Sequence, residues 1–187
     1  MTFGERIIGA AKLDPNTFED IERDPAAMGQ AIGVIGLAAL ASGLANIWYG
    51  GITGILFGFI TSMVAYCVWA VAVWLIGTKL MPDPATKADF PETFRVIGFA
   101  AVPWILAIVT IIPLLGWLLM LIVYPVAWLW SMAIMVVAVK AVLDYTDITK
   151  AIIVVVIGFV AFMLVWGMFV MFGIGAAIMG GALGSMS

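Results

Sequence analysis

Three stretches of the chain carry no charged residue: 25–78, 96–139 and 151–187. Each is longer than the roughly 20 apolar residues that take a helix across a bilayer. A soluble domain has about 25% charged residues, whereas this chain has 10%, against 65% apolar. A water-soluble fold is thereby excluded. In lipid every backbone polar group must be satisfied internally, so only helices and closed barrels span. The runs are continuous rather than alternating, which excludes a barrel. The expected fold class is all-α: a polytopic membrane helical bundle.

The number of spans follows from where the runs can reverse. Block 25–78 is too long for one crossing, and "IWYGGITG" at 47–54 supplies a turn. Gly50 and Gly51 let the chain reverse there, and Trp48 and Tyr49 suit the headgroup level. Block 96–139 divides at "IIPLLGW", residues 111–117, where a proline and a glycine precede Trp117. The expected spans are about 28–48, 52–77, 94–112, 116–140 and 151–174, followed by a glycine-rich tail.

Charge then fixes an expected orientation. The eight basic residues are Arg6, Lys12, Arg23, Lys79, Lys87, Arg95, Lys140 and Lys150. If five spans alternate, all eight fall on one side, and so do all eleven acidic residues. Lysine and arginine in short loops mark the cytoplasmic side. The N-terminus is expected inside and the C-terminus outside. A miscount by one helix would destroy this segregation.

Residues 1–24 contain nine charged side chains and no uninterrupted apolar run, so they read as a retained cytoplasmic segment rather than a secretory signal. An aspartate before a proline suits an N-cap and N1, and this pair occurs at 14–15, 24–25 and 83–84. The first would start a short helix, "PNTFEDIER", and the second would start span 1. Phe3, Ile7, Ala10 and Ala11 form one helical stripe opposite Glu5 and Lys12, suited to the interface or to packing under the bundle. The candidate interfacial or partner rim is Phe3, Ile7, Phe18, Glu19, Asp20, Ile21 and Arg23.

Chemistry is sparse. Histidine is absent and Cys67 is the single cysteine. Zinc sites, Ser-His-Asp triads, histidine-ligated haem and disulfides therefore lack their parts. No phosphate-cradling GxxxxGK[ST] loop occurs. "EDIERD" at 19–24 reads as a solvated face with Glu19 and Arg23 paired at i,i+4. "DYTD" at 144–147 reads as a loop with Asp147 capping span 5. A net charge of −3 supplies no polybasic segment for nucleic acid or anionic lipid. No cofactor or metal is expected.

Inside the spans there are only modest polar groups: Gln30, Ser42, Asn46, Thr53, Thr61, Ser62, Tyr66, Thr110, Tyr124 and Ser131. They suit interhelical hydrogen bonds, or line a groove. Gly29 with Gly33, Ala39 with Gly43, and Gly54 with Gly58 have the spacing of close helix packing. Pro103 and Pro125 interrupt the hydrogen-bond ladders of spans 3 and 4 and are expected as kinks. Arg95 marks the entry of span 3 into the bilayer, with a stem long enough to snorkel.

Three stretches carry a resemblance: "NTFEDIERDPAAMGQAIGVIGLAALASG" at 16–43, "ETFRVIGFAAVPWILAIVTIIPLLGWL" at 92–118 and "KAVLDYTDITKAIIVVVIGFV" at 140–160. Through them nearly the whole chain resembles the Yip1-domain family. The resemblance implies a five-span fold with a cytoplasmic N-terminus, in agreement with the charge count. Eukaryotic members associate with Rab GTPases and trafficking partners. This chain lacks their DLYGP-type motif and long N-terminal region, which argues against GTPase binding. The short turns suggest a prokaryotic plasma-membrane member.

The functional expectation is a non-enzymatic integral membrane protein, with the lipid bilayer and other membrane proteins or itself as partners. It would organise membrane, serve trafficking or stabilise a complex. A lipid or small-solute conduit is the alternative, with a lipid-modifying enzyme behind it for want of a general base.

Overall fold

The computed structural model describes the backbone of residues 1–45, 47–113 and 115–184. It describes their side chains except at 48–50, 166, 169–170 and 172–184. Helices make up the regular structure of the described residues, in the order α1 Phe3–Ala11, α2 Pro15–Arg23, α3 Ala27–Ala45, α4 Ile47–Leu75, α5 Phe90–Gly98, α6 Gly116–Val142 and α7 Ile148–Gly184. A π-helical turn, Ile76–Leu80, extends α4, and a 3₁₀ helix, Phe99–Ile111, extends α5. Five helical segments are long and apolar enough to cross a membrane: Ala27–Ala45, Gly51–Leu80, Phe90–Ile111, Gly116–Val142 and Ile148–Val165. The expected count of five is met, with each start within a few residues of its expected place. α7 continues as helix through most of the glycine-rich tail.

The reversals fall where the glycines and prolines predict. Gly51 has φ 55° and ψ −148°, a conformation open to glycine and closed to most residues, and it breaks α4 just after its start. The headgroup-level placing of Trp48 and Tyr49, and the role of Asn46, lie outside the described residues. Between the 3₁₀ helix and α6, Gly116 N–H donates to Ile112 O at 2.7 Å. A Cβ on Gly116 would lie 2.0 Å from Thr110 O, so this turn closes only around glycine.

Helix starts at the charged end are capped by aspartates. Asp14 accepts from Asn16 N–H ahead of Pro15, and Asp89 forms a reciprocal capping box with Glu92. Asp147 accepts from Thr149 N–H at 2.8 Å at the start of α7. Asp24 accepts from Ala26 N–H at 2.9 Å. The third Asp-Pro pair departs from expectation. Asp83 closes a turn with Thr86 in both directions, and Thr86 donates onward to Leu143 O at 2.7 Å, so no helix begins at Pro84.

Span 3 also departs from a simple kink. α5 gives way to 3₁₀ winding at Phe99, four residues before Pro103. A proline ring clashes with the carbonyl four positions back and offers no N–H to it. The tighter i→i+3 pattern begins at that carbonyl, and each residue then advances about 2.0 Å instead of 1.5 Å. The 3₁₀ helix lies between α3 and α6, and Ser131 Oγ on α6 donates to its Ala100 O at 2.6 Å.

The core is concentrated toward the charged end. Val34, Ile35, Val73, Val96, Ile97, Phe99, Ile134, Ala138, Val142 and Val154 are all fully or almost fully enclosed. By contrast α4 buries no residue from Gly51 to Val68, and the first buried side chain among its described residues is Trp69. The bundle is close-packed at its charged end and open along α4 at the other.

Candidate functional site

At the charged end, ionic groups bind helices to one another. Arg6 lies on α1 three residues after Phe3 and four before Ala10, on the inward face, and is 1% exposed. Its Nε donates to Asp20 Oδ2 at 2.8 Å, one terminal nitrogen donates to Gln30 Oε1 at 2.8 Å, and the other donates to Asp24 Oδ2 at 2.7 Å. One guanidinium thus clasps α1, α2 and the first turn of α3. Burial opposes its charge, but the bonds to Asp24 and Asp20 outweigh that and raise its pKa. The Asp24 carboxyl is held below its usual range, chiefly by Arg6; for Asp20, burial pulls upward and the Arg6 bond prevails.

Arg95 does not snorkel. It is 6% exposed, and its guanidinium donates to the carbonyls of Ile21, at 3.4 Å, and Glu22, at the C-terminal end of α2. The positive group meets the negative end of that helix and satisfies carbonyls left without helical partners. Around it, Lys150 pairs with Asp83, Tyr145 OH donates to Met81 O at 2.6 Å, and Trp130 Nε1 donates to Ala11 O at 2.9 Å.

The expected rim is therefore only partly a surface. Phe18 and Ile21 are fully buried and belong to the core, a correction to their rim placing: the inward stripe of α2 seats on α5 and α6. Asp20 is engaged by Arg6, and Ile7 is half-buried. Phe3 remains 36% exposed, and Glu19 pairs with Arg23 at 3.0 Å on the solvent side.

The glycine pairs also divide. Gly29 is exposed with nothing near its missing Cβ, and Gly33 has only the Phe3 ring at 3.9 Å. The close backbone approach joins Gly43 and Gly58: a Cβ on Gly58 would sit 3.4 Å from Gly43 Cα, and one on Gly43 would sit 3.0 Å from Ile55 O. Gly54 lies on the same part of α4 and lines a cavity.

That cavity, about 690 Å³, opens between α4 and the rest of the bundle. Ala38, Ala39 and Ser42 of α3 wall it, with Trp104 of the 3₁₀ helix, Tyr124, Trp128 and Ser131 of α6, and Phe159, Phe162 and Met163 of α7. α4 contributes a line from Gly54 through Thr61, Ser62 and Tyr66 to Trp69. Six of the ten polar groups singled out in the spans converge here. The aromatic walls interlock: Trp104 meets Tyr124 edge-on at 5.7 Å, and Trp69 lies 5.3 Å from Phe162. Pro103 is buried beside Trp104, and Pro125 lies in α6 beside Tyr124, so both prolines flank the cavity in sequence. The lining carries no carboxylate, amine or imidazole. It can bind an apolar body and offer single hydrogen bonds, but holds no group that exchanges protons near neutral pH.

A family model described as the Yip1 domain matches residues 13–169. The chain belongs to the Yip1-domain family. No curated protein and no solved structure matches it. The Yip1 match takes in α2, α3, α4, α5 and α6, together with α7 as far as residue 169, and leaves α1 outside. In this Yip1-domain protein α1 is nevertheless joined to the matched region through Arg6. That role was readable in outline, because Arg6 falls on the apolar stripe of α1 and an inward arginine needs acidic partners. Trp69 carried no such signal: one tryptophan among eight in apolar sequence says nothing of its neighbours.

Proposed function

We propose that this multi-pass membrane protein acts by contact rather than by catalysis, organising the membrane, serving trafficking or stabilising a larger membrane complex. The observation that carries the reading is the disposition of its charges. Arg6, Asp20, Asp24, Arg95, Lys150 and Asp83 are engaged in joining helices, and the cavity contains no general acid or base. Apolar surface is what is left to offer, as at Ile52, Phe57, Leu121 and Leu164, each at least 65% exposed.

The packed layer of Val73, Val96, Ile97, Ala138 and Val142 between the cavity and the charged end favours this reading over a conduit, since it leaves the cavity blind on that side. By the lysine and arginine bias, the charged end faces the cytoplasm, and the short turns suit a prokaryotic plasma membrane. Single cysteines placed at Thr146 and at Pro113, in a chain with Cys67 replaced, test that orientation. Only the first should resist a membrane-impermeant maleimide in intact cells.

Isolation from native membrane in mild detergent, followed by mass measurement, tests the function. A defined homo-oligomer or a stoichiometric partner is expected. A strictly monomeric species would overturn it.

A further inference from the structure

Trp69 is 6% exposed, and its indole Nε1 is a fully enclosed donor without a hydrogen-bond partner among the described residues. Three other polar groups of the cavity have protein partners. Ser131 donates to Ala100 O, Thr61 donates to Phe57 O, and Tyr66 is hydrogen-bonded to Ser131. Hydrocarbon has no water to take up the remaining N–H, and an unpaired donor there is unfavourable. The wall it belongs to encloses about 690 Å³, inside the roughly 300–1,000 Å³ typical of small-molecule sites. Along α4 that wall runs from Gly54 to Trp69, about 22 Å at the helical rise. The space is long as well as apolar.

An ionic ligand would find no counter-charge on this lining. An unfunctionalised hydrocarbon would leave the Trp69 N–H as it is. We infer that the cavity holds one uncharged membrane molecule with a long apolar body and a carbonyl oxygen that accepts the Trp69 N–H. Reaching that enclosed donor moves the indole against Phe162 and Phe159, now 5.3 and 6.0 Å away between ring centroids. Two sources share this chemistry: the acyl ester of a glycerolipid and the ring carbonyl of an isoprenoid quinone.

The inference goes beyond the assembly reading and is independent of it. A monomer that binds a probe overturns only the assembly reading, and an oligomer that binds none overturns only this one. Purified full-length protein is delipidated in detergent, offered equimolar dioleoylglycerol and a benzoquinone with an isoprenoid tail, and weighed by native mass spectrometry. One adduct per chain is expected, and its mass assigns the source. Trp69→Phe, which keeps the ring and removes the donor, should lower retention about fivefold, the worth of one hydrogen bond. Ser62→Trp, which fills the space, should abolish retention. Val126→Trp, on the face of α6 turned away from Tyr124 and Trp128 and 48% exposed, should leave retention intact and controls for added bulk. No adduct, or an adduct unaffected by Ser62→Trp, overturns the site. Unchanged retention in Trp69→Phe overturns the carbonyl assignment.

Discussion

Arg95 Nε donates to the carbonyl oxygen of Ile21 at 3.4 Å, joining the start of span 3 to a short helix 74 residues earlier in the chain. The guanidinium also serves Glu22 O, and both acceptors lie at the C-terminal end of α2. Replacing Arg95 by Leu leaves those carbonyls without their donor beside the core residues Phe18 and Ile21. Hydrogen bonds from charged groups contribute about 1.5–3 kcal/mol, so the apparent Tm in detergent should fall by about 4–8 °C. Arg95→Lys should recover part of the loss, because an amine reaches one carbonyl but cannot fork to two. A melting curve for Arg95→Leu that overlies the wild type would refute the tie.

Arg6 is the second tie, and here the partners are carboxylates. Arg6→Met keeps the stem and removes the charge, leaving Asp20, Asp24 and Gln30 without their shared donor. The expected loss is about 2 kcal/mol, below that of a fully enclosed pair because both carboxylates reach water. Both have folded pKa values lowered below 3.8. Their contribution is therefore present above the unfolded pKa and lost as pH falls through the folded one. The gap between wild type and variant should be full at pH 7 and should narrow below about pH 4. A gap that is constant from pH 7 to pH 3 would show the loss to be packing alone.

Glu22 gives the opposite sign. Burial, then the nearby charges of Asp144 and Glu92, push its carboxyl up to about 7. The folded state holds this proton more tightly than the unfolded one, so the stability linked to it is greatest below the unfolded pKa of 4.5 and declines as pH rises toward 7. Glu22→Gln should raise the Tm at pH 8 and leave it nearly unchanged at pH 4, as read by paired melting curves. Equal shifts at both pH values would exclude this linkage.

These ties explain why the fold was more legible than the site. Charge-free runs and the turns at Gly51 and 112–116 are local features, and they gave the count of five spans. The caps at Asp14, Asp89 and Asp147 are local too. What sequence could not place is pairing across distance. Nothing near Arg95 says that its acceptors are backbone atoms of α2. Small-residue spacing picked out Gly29 and Gly33 alongside Gly43 and Gly58, and did not tell the pair that meets another backbone, Gly43 with Gly58, from Gly29, which has nothing near it. A spacing of four marks a smooth strip on one helix, whereas contact depends on which strip a neighbour meets. The 3₁₀ winding of span 3 was half legible: Pro103 announced a disturbance, but not whether the helix would bend or tighten.

That glycine contact yields the final prediction. A side chain on Gly43 meets the backbone of Ile55 rather than a movable side-chain tip, so α3 and α4 must separate to admit it. Gly43→Val should therefore destabilise by about 1–3 kcal/mol, the range for overpacking a closely fitted contact. Gly29→Ala meets nothing within 4 Å and should be neutral or stabilising by up to about 1 kcal/mol through helix propensity. Because Gly58 also lines the cavity, separation at Gly43 should loosen the outer half of α4 while the ties at the charged end hold. Hydrogen exchange would separate the two halves of α4, with faster exchange expected at 52–66 and unchanged protection at 70–78. Uniform loosening along α4, or melting of Gly29→Ala as low as Gly43→Val, would show that Gly43 and Gly58 are not the hinge between the packed and open ends of the bundle.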